Sequence, residues 1–216
     1  MAFREGSPQA LLDRKGTVTS VESVSLGGDS ISTWQELHIR SSTGLNLRAL
    51  VRVPLRQTVT RHPGAVLVGG INRGRRIAIT SGIDRVARHA VVISFDYPIR
   101  LRRSSWAVTN LVSTLPRVRM AAFDTVAATL LALDYLAARP DVDAQRIFLI
   151  GGSMGAEVVT VAGGVDPRAA AVVALYGGGR LGPLISHTLE HPAQRHLSTL
   201  EGADGWACPR VAADPA

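Results

Sequence analysis

Residues 146–155 read Arg-Ile-Phe-Leu-Ile-Gly-Gly-Ser-Met-Gly. Ile147 to Ile150 form a short apolar run that reads as a buried strand. The turn Gly151-Gly152-Ser153-Met154-Gly155 follows, and Ala156 to Ala162 is compatible with a helix. A chain that passes from strand to helix this sharply strains the backbone of the residue at the corner. Side chains two residues before and after that corner collide, and Gly151 and Gly155 remove them. The Ser153 hydroxyl then projects from the sheet edge, above a helix N-terminus whose free N–H groups favour developing negative charge. Ser153 is therefore the candidate nucleophile.

Working outward, three runs precede this region with partial alternation: Val18 to Leu26, Thr33 to Arg40 and Leu45 to Val53. Gly27-Gly28-Asp29 and Ser41-Ser42-Thr43-Gly44 separate them as turns, so an antiparallel meander is expected, ended by Pro54. From residue 65 the pattern changes. Ala65 to Val68 is a short buried strand entering Gly69-Gly70. Arg75 to His89 has helical spacing through Ile79, Ile83 and Val86. Ala90 to Phe95 is a second buried strand, continuous in apolar residues as parallel strands are. Val118 to Ala138 reads as a long helix stopped near Pro140, and Ala169 to Tyr176 as a fourth buried strand. The expected fold is α/β: a mixed sheet with antiparallel N-terminal strands, then parallel strands flanked by helices. A single domain over residues 1–216 is expected, with a recognisable core at 17–180 and an irregular tail at 181–216.

Composition sets the outer limits. With 216 residues, 46% hydrophobic and 19% charged, the chain suits one globular domain with a large core. Asp124, Asp134, Asp166 and Arg168 interrupt its most apolar stretches, so no membrane-span run is expected. Met1 to Gly16 carries charges and no signal-peptide apolar core. The single Cys208 excludes an intrachain disulfide framework. These features point to a cytoplasmic protein. The formal charge of +7 invites a nucleic-acid reading, but aromatics are only 5% and Lys15 is the only lysine. Such arginine usage reads as the imprint of a GC-rich genome, and no nucleic-acid partner is expected. No histidine or cysteine spacing matches a metal site, and Gly74-Arg75-Arg76 lacks a phosphate-loop pattern. Neither metal nor cofactor is expected.

The meander, Val-Leu-Val-Gly-Gly-Ile at 66–71, Val-Val-Ile-Ser-Phe-Asp-Tyr at 91–97, the long helix and Gly-Gly-Ser-Met-Gly together resemble the α/β-hydrolase superfamily. Leu133-Asp134-Tyr135-Leu136, then Pro140-Asp141-Val142-Asp143 and Arg146-Ile147, is similar to the dienelactone-hydrolase and prolyl-oligopeptidase-like branch. The resemblance spans roughly residues 33–180. It implies an oxyanion hole of two backbone amides: one following the nucleophile, at Met154, and one after the third strand of that fold. There many members carry His-Gly, whereas this chain has Gly69-Gly70-Ile71, so the second donor maps to the Ile71 amide. Dienelactone hydrolases proper use cysteine; Ser153 favours an esterase-like or peptidase-like member.

A serine needs a histidine to take its proton and an acid to orient that histidine, in the order Ser, acid, His on this fold. After Ser153 the histidines are His187, His191 and His196, and the acids before His196 are Glu157, Asp166 and Glu190. Glu157 lies one turn into the nucleophile helix, Asp166 is expected at the opposite end of the sheet, and Glu190 is too near the histidines. No acid–base pair in the normal order can be named. The tail carries no clear strand, so the C-terminal part is expected to be incomplete, through truncation or frameshift. A genuine short form, with its base from another subunit or from His187, His191 or His196, is the other reading. Pro98 to Pro116 first reads as an irregular surface connection; as a substrate-selecting loop, the alternative, its Arg100, Arg102, Arg103 and Trp106 could attract an anionic group.

The expected activity is hydrolysis of carboxylic ester bonds in a small molecule through an acyl-enzyme on Ser153. The alternative is a non-catalytic α/β-hydrolase-like scaffold that binds a ligand or partner.

Overall fold

The structure, a computed structural model, describes residues 7–55, 60–70, 73–98 and 108–177. Strands β1 (Val18–Gly28), β2 (Ser32–Ser41) and β3 (Asn46–Pro54) form the expected antiparallel meander. The first turn closes on Asp29, whose carboxylate accepts from the Ile31 and Ser32 amides at 2.9 and 2.8 Å. The second turns at Gly44, with φ 84°. Four further strands follow: β4 (His62–Val68), β5 (Val91–Phe95), β6 (Val142–Gly152) and β7 (Ala169–Leu175). The seven strands are ordered β1-β2-β3-β5-β4-β6-β7. β3 meets β5 antiparallel, whereas β4 pairs with β5 and β6, and β6 with β7, in parallel.

This order contains a reversal. From β4 the chain steps to β5 on one side, then crosses back over β4 to β6 on the other. The carboxyl ends of β4 and β6 therefore flank the point where open α/β sheets leave a crevice for ligands. Val68 and Gly151 are partners in register there.

Helices α1 (Pro8–Lys15), α3 (Val108–Ala137) and α4 (Met154–Val165) accompany the sheet, and α2 (Asp84–Ala87) is a single turn. α1 is tied to α3 by Arg14 to Asp124 at 2.5 Å and Lys15 to Asp134 at 2.6 Å. The larger apolar cluster joins Leu37, Ile39, Val66 and Ile93 of the strands to Leu130, Leu133 and Val159 of α3 and α4. A smaller one lies on the other face, where Leu50, Leu67 and Val92 meet Ala78 and Ala87.

Four expectations need correction. The helix read over Arg75–His89 is two 3₁₀ segments, Gly74–Ile79 and Ser81–Ile83, followed by α2. Thr80 breaks it: its hydroxyl donates to the Ile77 carbonyl at 2.9 Å, a local bond that competes with helix continuation. The long helix starts at Val108 rather than Val118, because Pro116 removes one hydrogen bond from a helix without ending it. Arg119–Ala137 is, by length and composition, apolar enough to cross a bilayer. Here Val126, Leu130, Leu131, Leu133 and Leu136 lie buried, and its aspartates pair with α1, so the segment reads as a core helix. Lastly, β7 was expected buried, yet Val172, Val173 and Leu175 are exposed. Among the described residues β7 has a strand on one side only.

Arg52 of β3 is the largest fully buried side chain, at 1% exposure. Its guanidinium reaches Asp29 at 2.5 Å, Asp84 at 2.8 Å, the Ser32 hydroxyl at 2.6 Å and the Ala78 carbonyl at 3.3 Å. It thereby joins the first turn, the 3₁₀ segment and α2. Arg52→Ala removes all four contacts and leaves a void. It is expected to cost about 3 kcal/mol in urea denaturation. A loss below about 1 kcal/mol would show that the network is ornamental.

Candidate active site

Ser153 sits between β6 and α4 with φ 54° and ψ −124°. This left-handed conformation costs an L residue about 1–3 kcal/mol and persists only where the surroundings impose it. They do so through backbone bonds on both sides. The Ser153 amide donates to the Leu175 carbonyl of β7, and its own carbonyl accepts from the Ala156 amide, both at 2.9 Å. The glycines supply the space. A Cβ on Gly151 would fall 2.2 Å from the Gly155 carbonyl oxygen, and one on Gly155 would fall 1.9 Å from the Val68 carbonyl oxygen. The sharp strand-to-helix corner read from the sequence is present.

The Ser153 hydroxyl makes no capping bond to α4 and the residue is exposed. It stands at the end of the helix whose first-turn amides lack intrahelical acceptors. Met154 is the first residue of that helix, where a donor to an oxyanion belongs. Ile71, the other expected donor, lies outside the described residues. Its neighbour Gly70 is placed beside Ser153: a Cβ there would lie 3.8 Å from the Ser153 Cβ.

Sequence reasoning missed the residues behind this loop. The Tyr97 hydroxyl, just past β5, donates to the Gly69 carbonyl. Burial pushes its phenol above the ordinary tyrosine value. Asp96 accepts from the Arg75 amide at 3.0 Å and pairs with the Arg75 guanidinium. Nothing local in the sequence signals these contacts, since each partner is more than twenty residues away.

No histidine among the described residues is brought to Ser153. His62 opens β4 at the amino end of the parallel strands, about 20 Å along the sheet from the carboxyl end. His89 precedes β5, and His38 lies on β2, four strands from β6 or about 19 Å across. His187, Glu190, His191, His196 and Cys208 lie outside the described residues, as do Arg100, Arg102, Arg103 and Trp106.

Glu157 and Asp166 lie where the sequence suggested. Glu157 is in the first turn of α4. Asp166 follows α4 at the amino end of the strands, where Arg168 donates to it at 2.9 and 2.5 Å. Those bonds hold its carboxyl below the usual aspartate range. Among the described residues no cluster of His, Cys, Asp and Glu could hold a metal ion. A surface groove of about 610 Å³, lined by Val18, Val21, Tyr135, Arg139 and Asp141, also lies away from Ser153, near the amino ends of the strands.

No protein-family model matches the sequence, and no curated protein matches it. Solved structures do. Acetyl xylan esterase 1 from Thermoanaerobacterium sp. JW/SL YS485 superposes with a TM-score of 0.62 at 15% identity, over 95% of this chain and 69% of that one. An acetyl xylan esterase from Paenibacillus sp. R4 gives 0.57 at 18% identity, over 79% of this chain and 57% of that one. A dienelactone hydrolase-like promiscuous phosphotriesterase from metagenomic libraries gives 0.52 at 17%, over 69% and 61%. The chain thus has an α/β-hydrolase fold, in the form that acetyl xylan esterases and dienelactone hydrolase-like proteins share. It spans little more than half the length of several of these structures.

Two variants check this geometry. Gly155→Ala sets a methyl group against the Val68 carbonyl and should cost at least about 3 kcal/mol or prevent folding, read by circular dichroism and urea titration. Asp166→Asn should cost about 1–2 kcal/mol near neutral pH, because Arg168 is partly exposed. Since folding lowers the Asp166 pKa, this contribution is full above about 3.8 and is lost as pH falls through the lower folded value. The stability gap between wild type and Asp166→Asn should therefore close in acid.

Proposed function

We propose that the chain is a serine hydrolase of carboxylic ester bonds in small molecules. The observation that carries this reading is the left-handed Ser153 at the N-terminus of α4, facing the Gly69-Gly70 loop. A strained serine is a persistent cost, and a scaffold gains nothing by keeping one.

In this reading the Ser153 oxygen attacks the ester carbonyl carbon while a base takes the hydroxyl proton. The carbonyl oxygen becomes an oxyanion, received by the amides of Met154 and Ile71. Each such donor is worth about 3–4 kcal/mol to this kind of transition state. Collapse expels the alkoxide, which takes the proton from the base and leaves an acyl ester on Ser153. Water, deprotonated by the same base, then releases the acid and restores the serine. His187, His191 and His196 are the candidates for the base within this chain. The acetyl xylan esterases among the structural neighbours favour acylated sugars as one substrate class.

The test is fluorophosphonate labelling of the purified chain, with Ser153→Ala as control. Near-stoichiometric labelling of the wild type, lost in the variant, is expected. A folded chain that resists labelling would instead support the non-catalytic scaffold.

A further inference from the structure

Two consecutive residues, Asp96 and Tyr97, follow β5, the strand adjacent and parallel to β4. They hold the loop that leaves β4 at its two ends. Tyr97 donates its hydroxyl proton to the carbonyl of Gly69, the first residue of that loop. Asp96 accepts from the Arg75 amide at 3.0 Å and pairs with the Arg75 guanidinium at the other end. Within the loop the Arg73 amide donates to the Gly70 carbonyl at 3.0 Å.

The two grips come from opposite faces of the sheet. Successive residues of an extended chain point to opposite sides. Tyr97 accordingly packs with the large apolar cluster of α3 and α4, whereas Asp96 reaches the 3₁₀ segment over the other face. The fit at Asp96 is close. Gly74 has φ 47°, and a Cβ there would lie 2.5 Å from Asp96 Oδ1. The Ser94 hydroxyl adds a bond to the Gly74 carbonyl at 3.2 Å. The Arg75 guanidinium also lies 3.4 Å from Glu36, so the Asp96 charge sits in a paired network rather than bare beside a developing oxyanion.

We infer that Asp96 and Tyr97 are positioning residues: they hold the loop that leaves β4 at Gly69 and at Arg75, and so keep the Gly70 backbone in its place beside Ser153. The inference rests on the serine-hydrolase reading for its catalytic consequence, but not for the grip itself. Neither side chain touches the reacting atoms. Backbone beside the attacking oxygen that shifts by a fraction of an ångström costs the transition state selectively, because the oxyanion exists only there.

The experiment compares wild type, Tyr97→Phe and Asp96→Asn as full-length chains. Tyr97→Phe keeps the ring and removes one donor; Asp96→Asn keeps the shape and removes the charge, so each guards against a folding failure of the other. With p-nitrophenyl acetate, kcat should fall about tenfold or more in each variant while KM stays within about twofold. Hydrogen exchange of residues 69–76 should rise about tenfold, with β4 and β6 unchanged. Faster exchange with unaltered kcat would overturn the catalytic role, and unaltered exchange in both variants would overturn the grip. If the wild type neither labels with fluorophosphonate nor hydrolyses the ester, the hydrolase reading fails, and the exchange of residues 69–76 alone decides the grip.

Discussion

The carbonyl oxygens of Val68 and Gly69 come so close to Gly155 that no side chain fits between them. This contact between the end of one strand and the first turn of a helix organises the site. β4 and β6 are parallel neighbours with Val68 opposite Gly151, so the chain leaving β6 must turn beside the chain leaving β4. A larger residue at position 155 would push α4 away and relax the serine out of its left-handed conformation. The absence of one methyl group thus lets Ser153, the start of α4 and the end of β4 come together.

The two ends of the parallel strands have different chemistry. At the amino end the carboxylates are engaged by arginines: Asp29 and Asp84 by Arg52, Asp141 by Arg139, and Asp166 by Arg168. Burial raises the Asp141 carboxyl, yet its bonds to Arg139 outweigh that and leave it below the ordinary value. Groups held in this way contribute to cohesion rather than to proton transfer. At the carboxyl end stand the exposed Ser153 and the Asp96–Arg75–Glu36 pairs. The arginine-bound carboxylates of the amino end and the exposed Ser153 thus stand at opposite ends of the same strands.

The parts legible in the sequence are those encoded by neighbouring residues. Gly151, Ser153 and Gly155 specify their turn within five positions, and the alternation in β1 to β3 with the turns at Asp29 and Gly44 specifies the meander. The continuous apolar runs of β4, β5 and β6 likewise mark parallel strands without reference to the rest of the chain. What escaped reading depends on partners distant in sequence. Tyr97 looks like an ordinary strand-end aromatic until the reversal of strand order sets it beside Gly69. Arg52 looks like a solvated arginine on an alternating strand; its burial follows from Asp29 and Asp84 arriving from separate segments. The 3₁₀ segments were misread because Ile79, Ile83 and Val86 have helical spacing, while the Thr80 hydroxyl imposes a local bond that spacing does not register.

The docking of α1 has a chemical corollary. Lys15 is the only lysine in the chain, and its ammonium lies 2.6 Å from Asp134 with its side chain 12% exposed. An acylating reagent aimed at amines therefore meets one side-chain target, shielded whenever α1 rests on α3. The speed of that acylation measures how often the seam between the two helices opens. The chain carries its own gauge of local breathing, read at an atom remote from the serine.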